Sequence, residues 1–396
     1  MAFYKYSADK IFDGKGGILK NMCIVTDKND TILSVEPLPA TKDDILFVKG
    51  WICPGFVNTH CHLELSHMKG KVDTGTGLLP FLMQVVGFRD IPIENILEAI
   101  QKADTEMYKN GIVAVGDISN KADSSFTKNK SLLRYYTFVE MFDFLQPQLA
   151  QKTFDQYIEV YHTFSENNKD KKSCVPHAPY TVSNTLYSLL NVANQNGKTV
   201  SIHNQETTDE NELFLSKSGG FVEFFRNFGF SLEHFSPLPK TSIHHALSHL
   251  NPHHKTLFVH NTLSTEEDIS AAQQWSEKVF WATCPNANLY IENRLPAYKN
   301  FLNQNAKMTI GTDSLTSNWQ LSIWEEIKTI HKYTSYVPFS SLITWATYNG
   351  AAALGFDDSL GSIEKGKSPG LVALENIKEN PDKVDLSLSS SRRLQM

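Results

Sequence analysis

His60 and His62 stand two residues apart, just after a compact apolar stretch. On an extended chain, residues i and i+2 point to the same side. Two imidazoles placed this way can grip one cation at about 2.0–2.1 Å each. An H-x-H pair alone is weak evidence, because ordinary histidines are commoner than ligands. Its weight comes from partners further along the chain. His203 adds a third nitrogen and Asp313 a carboxylate oxygen. That donor set suits one divalent ion: zinc, or iron, or another first-row metal. Ligand type alone does not choose among them, and zinc is the expectation. A site that does chemistry must also keep a position open for water.

Glu206 follows His203 by three residues. A carboxylate beside activated water can take a proton and pass it to substrate. The bland reading of Glu206 is a carboxylate favoured at a helix N-terminus by the dipole. His67, His162 and His331 are expected to be ordinary histidines. His244, His245, His249, His253 and His254 lie close together, but in a stretch that looks like helix and loop. They are expected to be a solvated segment.

The elements that must position these residues have a regular order. Apolar, strand-like segments at 50–57, 112–115, 133–138, 173–176, 199–202, 255–259, 279–282 and 306–310 mostly alternate with helical stretches. A helical period runs over 94–109, with Gly111 as its stop. Further helices are expected at 153–165, 184–196 and from Asp313 to Leu354. His60, His62, His177, His203, His260 and Asp313 each fall at the C-terminal end of one of the strand-like segments. Strands alternating with helices pair in parallel through right-handed crossovers. Eight such units suggest a (β/α)₈ barrel, whose strand ends meet on one face and build the site.

The remaining segments, 2–7, 17–25, 31–37 and a last β-rich piece at 361–374, are expected to make a small second domain. The division expected is 1–50 plus 360–396 as a β-sandwich and 51–359 as the barrel. The Ser-rich tail, 386–396, is expected to be loosely ordered.

The chain has 396 residues, 41% hydrophobic and 20% charged, enough to bury a large core. A net charge of -6 gives no footprint for nucleic acid or an anionic membrane. The basic run from Lys169 to Lys172 is broken by Asp170 and fits a solvated loop. No apolar run approaches the roughly 18 residues of a membrane span, and the N-terminus lacks a secretory pattern. Five scattered cysteines without a C-x-x-C pair argue against a disulfide framework and a thiolate zinc site. A cytoplasmic protein with a small-molecule substrate is expected, with a homodimer as the default assembly.

The motifs resemble those of the amidohydrolase superfamily, and the resemblance covers nearly the whole chain. Pro54-Gly55-Phe56-Val57-Asn58-Thr59-His60-Cys61-His62 is similar to its first-strand motif. His203-Asn204-Gln205-Glu206 resembles the H-x-x-E of its mononuclear deaminase branch. His177-Ala178-Pro179-Tyr180-Thr181-Val182-Ser183 and Gly311-Thr312-Asp313-Ser314 are similar to further segments of that branch. The resemblance implies a barrel with a β-sandwich built from both termini. It implies one metal held by His60, His62, His203 and Asp313, with Glu206 as proton shuttle. His260 and Asp313 would orient and deprotonate the water, and His177 would contact substrate. Dinuclear members carry a carboxylated lysine at the end of the fourth strand, where this chain has His177.

The implied reaction is hydrolytic deamination at a C=N carbon of a purine-like or other N-heterocycle. His62-Leu63-Glu64-Leu65-Ser66, Cys284-Pro285-Asn286-Ala287-Asn288 and the run from Gly311 to Asn318 look most like aminodeoxyfutalosine deaminases and chlorohydrolase-like relatives. Glu64 would touch a substrate hydroxyl or amine, or else be a buried carboxylate satisfied by backbone donors. Arg294 would bind a carboxylate or, more simply, form a surface salt bridge. Asn286 and Ala287 replace the Arg-Ser or Thr-Ser frequent in a loop that helps shape the pocket. Two other readings stand beside deamination. One is a hydrolase of the same fold that expels chloride, an alkylamine or an amide nitrogen. The other is a barrel that acts as a non-catalytic scaffold. The H-x-E…P-C-x-x-C signature of cytidine-type zinc deaminases is absent.

Overall fold

A computed structural model describes residues 3–40, 44–167, 169–194, 197–380 and 383–394. Eight parallel strands form its centre, in two four-stranded sheets. The first sheet runs Phe56–Cys61, Ile112–Ser119, Arg134–Met141 and Lys171–Pro176. The second runs Thr199–Asn204, Lys255–His260, Val279–Thr283 and Met308–Ile310. These are the eight segments expected from the sequence, and the third reaches past Phe138 to include Glu140.

The free edges of the two sheets meet. On one side the His203 amide donates to His177 O at 2.9 Å, and Ser173 Oγ donates to Thr199 O at 2.6 Å. On the other, the Thr312 and Asp313 amides both donate to His60 O at 3.0 Å.

Burial on both faces explains why the strands are continuous apolar runs without alternation. Every residue of Ile112–Ser119 is buried. The helices cover the sheets with one face each. Helix Ile93–Lys109 buries Ile96, Ile100, Ala103 and Met107 of its periodic face, while Leu97, expected on the same face, is 39% exposed. Gly111 follows it with φ +85, and a Cβ there would meet Val372 Cγ2 at 2.6 Å. Conformation and space both require glycine.

The terminal strands form one seven-stranded sheet. Its order is Ser390–Leu394, Leu371–Glu375, Ile45–Pro54, Phe3–Phe12, Met22–Asp27, Ile32–Pro37, with Ile18–Leu19 paired to Phe3–Phe12. Tyr6, Ile11, Ile24, Ile52, Ile363 and Leu371 share its apolar cluster. The expected strand 50–57 is two strands. Ile45–Pro54 belongs to the terminal sheet and Phe56–Cys61 to the parallel one. The chain passes between them at Gly55, where a Cβ would lie 2.6 Å from Pro369 O.

One expectation is overturned. The Ser-rich tail is ordered from Ser390 to Leu394, as an antiparallel edge strand paired from Leu371↔Leu394 to Glu375↔Ser390. Arg393 anchors it. Its guanidinium lies 4.0 Å from the Tyr108 ring centroid and donates to the Tyr108 and Ile112 carbonyls. These partners lie some 280 residues away, so a reading of local composition does not find them. Residues 395–396 of that tail, and 195–196 of the expected helix 184–196, lie outside the described residues. Among the described residues, no helix is long and apolar enough to cross a membrane.

Candidate active site

The strand ends bring the expected residues together. His60 and His62 close the first strand; His203, His260 and Asp313 come from the fifth, sixth and eighth strand ends. The Nε2 atoms of His60 and His62 are 3.2 Å apart, and those of His62 and His203 are 3.3 Å apart. Asp313 Oδ1 lies 3.6 Å from His60 Nε2 and 3.4 Å from His62 Nε2. Donors held tetrahedrally at about 2.0–2.1 Å from one centre are separated by roughly 3.3–3.4 Å. The donor set therefore fits a single cation. Among the described residues, His60, His62 and His203 form one potential ligand group, and His60, His260 and Asp313 another.

Burial pushes the His60, His62, His177 and His260 rings down to about 4. They are neutral at pH 7, and each keeps a nitrogen lone pair. Burial also pushes His203 down, but the hydrogen bond and charge of Glu140 outweigh it and raise the ring to about 9. A cation at His203 Nε2 takes the place of that proton. Burial alone would raise Asp313. Its hydrogen bond with His60 and the charges of His62 and His260 hold it well below the usual carboxylate range instead. Burial holds Glu206 well above that range.

Neighbouring side chains set which nitrogen faces the centre. The ring of His203 donates from Nδ1 to His177 O at 2.8 Å, with Glu140 Oε1 at 3.3 Å. That turns Nε2 inward. His260 has φ +69, and its Nδ1–H donates to Asn288 Oδ1 at 2.9 Å. Its Nε2 therefore faces Glu206 Oε2, 3.7 Å away. Ser317 Oγ donates to Asp313 Oδ2 at 2.5 Å, leaving Oδ1 for the histidines. Thr181 Oγ donates to Ala178 O, so it accepts from His177 Nδ1–H at 2.8 Å. His177 Nε2 is then an acceptor.

A cavity opens over these groups. His62, Glu64, His177, Glu206, His260 and Asp313 line its polar side. Leu78, Phe81 and Val85 of helix Leu78–Phe88, with Phe142, Phe144 and Ile291, line its apolar side. Glu64 is a buried carboxylate held by backbone donors. Its Oε2 accepts from the Asn120 and Lys121 amides at 2.9 and 3.0 Å, and it also borders the cavity. Arg89 stands 3.6 Å from its other oxygen. Burial raises Glu64 to about 7, against the opposing charge of Arg89.

Other expectations fall outside the cavity. Arg294 is exposed and does not line it. Asn286 is buried and does not line it, with its amide and Nδ2 donating to Glu326 at 2.9 Å each. Asn286 thus ties helix Pro285–Glu292 to helix Ile323–Tyr333, while Ile291 of the same segment lines the cavity. No three of the five clustered histidines gather as potential ligands among the described residues. His245 packs on Phe214, Tyr187 and His249, so it belongs to the packed interior and not to a solvated segment. Sequence reasoning missed Glu140, Asn288 and Ser317 as orienting groups. Glu140 carried a signal, because it is a carboxylate at a strand end.

Fold and site thus define an α/β protein with histidines and an aspartate converging at the C-terminal ends of parallel strands. The chain belongs to the amidohydrolase family, whose model matches residues 51–390. It is 27% identical over 326 residues to an adenosine deaminase of Helicobacter pylori, covering 81% of this chain and 78% of that protein. It is 28% identical over 325 residues to the aminodeoxyfutalosine deaminase of a Nitratiruptor species, covering 80% and 76%. Among solved structures, Helicobacter pylori aminofutalosine deaminase with methylthio-coformycin superposes with a TM-score of 0.78 at 24% identity, over 93% of this chain and 91% of that one. A zinc-bound adenosine deaminase from Xanthomonas campestris gives 0.72 at 21% identity, over 97% and 85%.

Proposed function

We propose that this protein is a hydrolytic deaminase of a purine-like or other N-heterocycle, with one divalent ion, zinc in first place and iron in second. The observation that carries the reading is the convergence of His60, His62, His203 and Asp313 on one centre, with Glu206 and His260 beside it. Deaminase names among relatives of similar length support the choice of reaction. Their substrates point to adenine-type nucleosides, aminodeoxyfutalosine among them. A complete set of reactive side chains speaks against a non-catalytic scaffold.

The finer architecture we infer is a (β/α)₈ barrel of residues 51–359, closed where the two parallel sheets meet. For 1–50 plus 360–396 we infer a β-sandwich companion, made by the one terminal sheet folding over on itself; strand Ile45–Pro54 carries that unit a few residues further. Five free, buried cysteines support a cytoplasmic home, and a homodimer is the default assembly.

His60, His62, His203 and Asp313 would hold the ion. When bound, it supplies the acidity that makes hydroxide available near neutral pH, lowering the pKa of water towards about 7. Asp313 or His260 accepts the proton as the water oxygen bonds to the carbon bearing the amino group. Glu206, whose protonated form burial favours, gives its proton to the adjacent ring nitrogen. As a carboxylate it then takes the remaining proton of the added hydroxyl and passes it to the amino group. The C–N bond breaks, ammonia leaves, a carbonyl remains, and the proton on Asp313 or His260 returns to Glu206. His260 stabilises charge on the new oxygen. His177 Nε2 accepts from a substrate donor, and Glu64 faces the same cavity.

Ammonia release across adenosine derivatives, guanine, cytosine, triazines and their chloro- and alkylamino-analogues tests this reading. Release from an adenine-type substrate is expected. Turnover confined to chloride or alkylamine loss would replace deamination with the related hydrolase activity.

Glu140 has its own expected effect. A carboxylate that orients a ligating histidine typically contributes 10–100-fold in metal affinity. Glu140→Ala should weaken metal binding by about that factor, measured by chelator competition. An unchanged affinity would show that the His177 carbonyl suffices to orient His203.

A further inference from the structure

We infer that Glu210 is a positioning residue that sets the Glu206 carboxyl over the reaction centre, by filling an anion-binding turn of the backbone with its own carboxylate. The inference rests on the proton-transfer role proposed for Glu206. His203 ends a strand, yet Glu206, three residues on, must turn back to line the same cavity. The turn is made at Gln205, whose φ of +48 lies in the left-handed region that side chains disfavour. Something must hold it there.

Two clamps do so. From outside, the Gln205 side chain donates to Asp268 Oδ2 at 3.0 Å and accepts from Ser264 Oγ at 2.6 Å. Its side chain is thus committed away from the cavity. From inside, Glu210 of helix Thr208–Ser216 closes on the turn. Its Oε1 accepts from the Gln205 amide at 2.9 Å and its Oε2 from the Glu206 amide at 3.1 Å. Successive N–H groups on a turn of this kind form a concavity that favours an anion. Glu210 is fully buried, so water does not substitute for it. Both of its oxygens are used to fix two consecutive peptide units, one of them that of Glu206 itself. A glutamine of the same shape can offer only one oxygen, and its N–H₂ would oppose the other amide.

Glu210→Gln tests this on the metal-loaded enzyme. A misplacement of about 1 Å can cost on the order of 10²-fold in rate. We expect kcat to fall by about 10–100-fold, with KM and metal content nearly unchanged. Glu210→Asp keeps the charge but shortens the reach, and should show the same split if Glu210→Gln folds poorly. The decisive comparison is Glu206→Gln against the Glu206→Gln/Glu210→Gln double variant. If Glu210 acts through Glu206, the two have the same residual kcat, because effects within one unit do not add. Multiplied losses in the double variant would make Glu210 a general structural support, and a normal kcat in Glu210→Gln would end the inference. Near-normal turnover in Glu206→Gln alone would instead remove the role of Glu206, and the inference would fall with it.

Discussion

Glu206→Gln is expected to keep one metal ion per chain and lose turnover by about 10²–10⁴-fold, the range that a positioned general acid or base supplies. The side chain keeps its shape, and none of the four proposed ligands is touched. What disappears is a carboxyl whose protonated form burial favours, 3.7 Å from His260 Nε2. An amide can donate a hydrogen bond to the ring nitrogen, but it cannot deliver a proton and take one back. Substrate affinity should therefore change far less than kcat. Metal content by elemental analysis, together with kcat and KM from ammonia release, checks each part. Near-normal rates would assign the proton transfer to another group.

Removing the ion, or one of its ligands, should have an effect as large. Purified protein is expected to hold one divalent ion per chain. A chelator should abolish turnover, and zinc or iron should restore it. His203→Ala should prevent restoration. It deletes one ligand nitrogen and the ring's bond to His177 O, while the backbone amide keeps its own bond to that oxygen. Without the ion, the His60 and His62 lone pairs, the protonated His203 ring and a carboxylate crowd together at 3.2–3.6 Å. Ligand binding to the native state alone raises apparent stability. The melting temperature should accordingly fall on chelation and recover on reloading, a change that His203→Ala would not show. A chelated enzyme that stays active would overturn the metal-assisted reading altogether.

Much of this site is legible along the chain because its signals are local. His60 and His62 share a strand face by spacing alone. Glu206 is marked by its distance from His203, and every expected ligand follows an apolar strand. The orienting groups leave no such trace. Asn288 reaches His260 from the helix after the next strand, and Glu140 reaches His203 from two strands away in the parallel order. The ordering of the tail also depends on a distant partner, the Tyr108 ring under Arg393. Composition marked the segment as polar and nothing more.

His60 and His62 began as a weak pair. The sequence alone determined the periodicities, the eight strand segments and the polar residues at their ends, because each is a property of neighbouring residues. Tertiary structure decided which nitrogen of each ring faces the centre, which carboxylate holds which proton, and that Asn286 lies outside the pocket. Those outcomes depend on hydrogen-bond partners and on burial, and both exist only once segments far apart in the chain have been packed against one another.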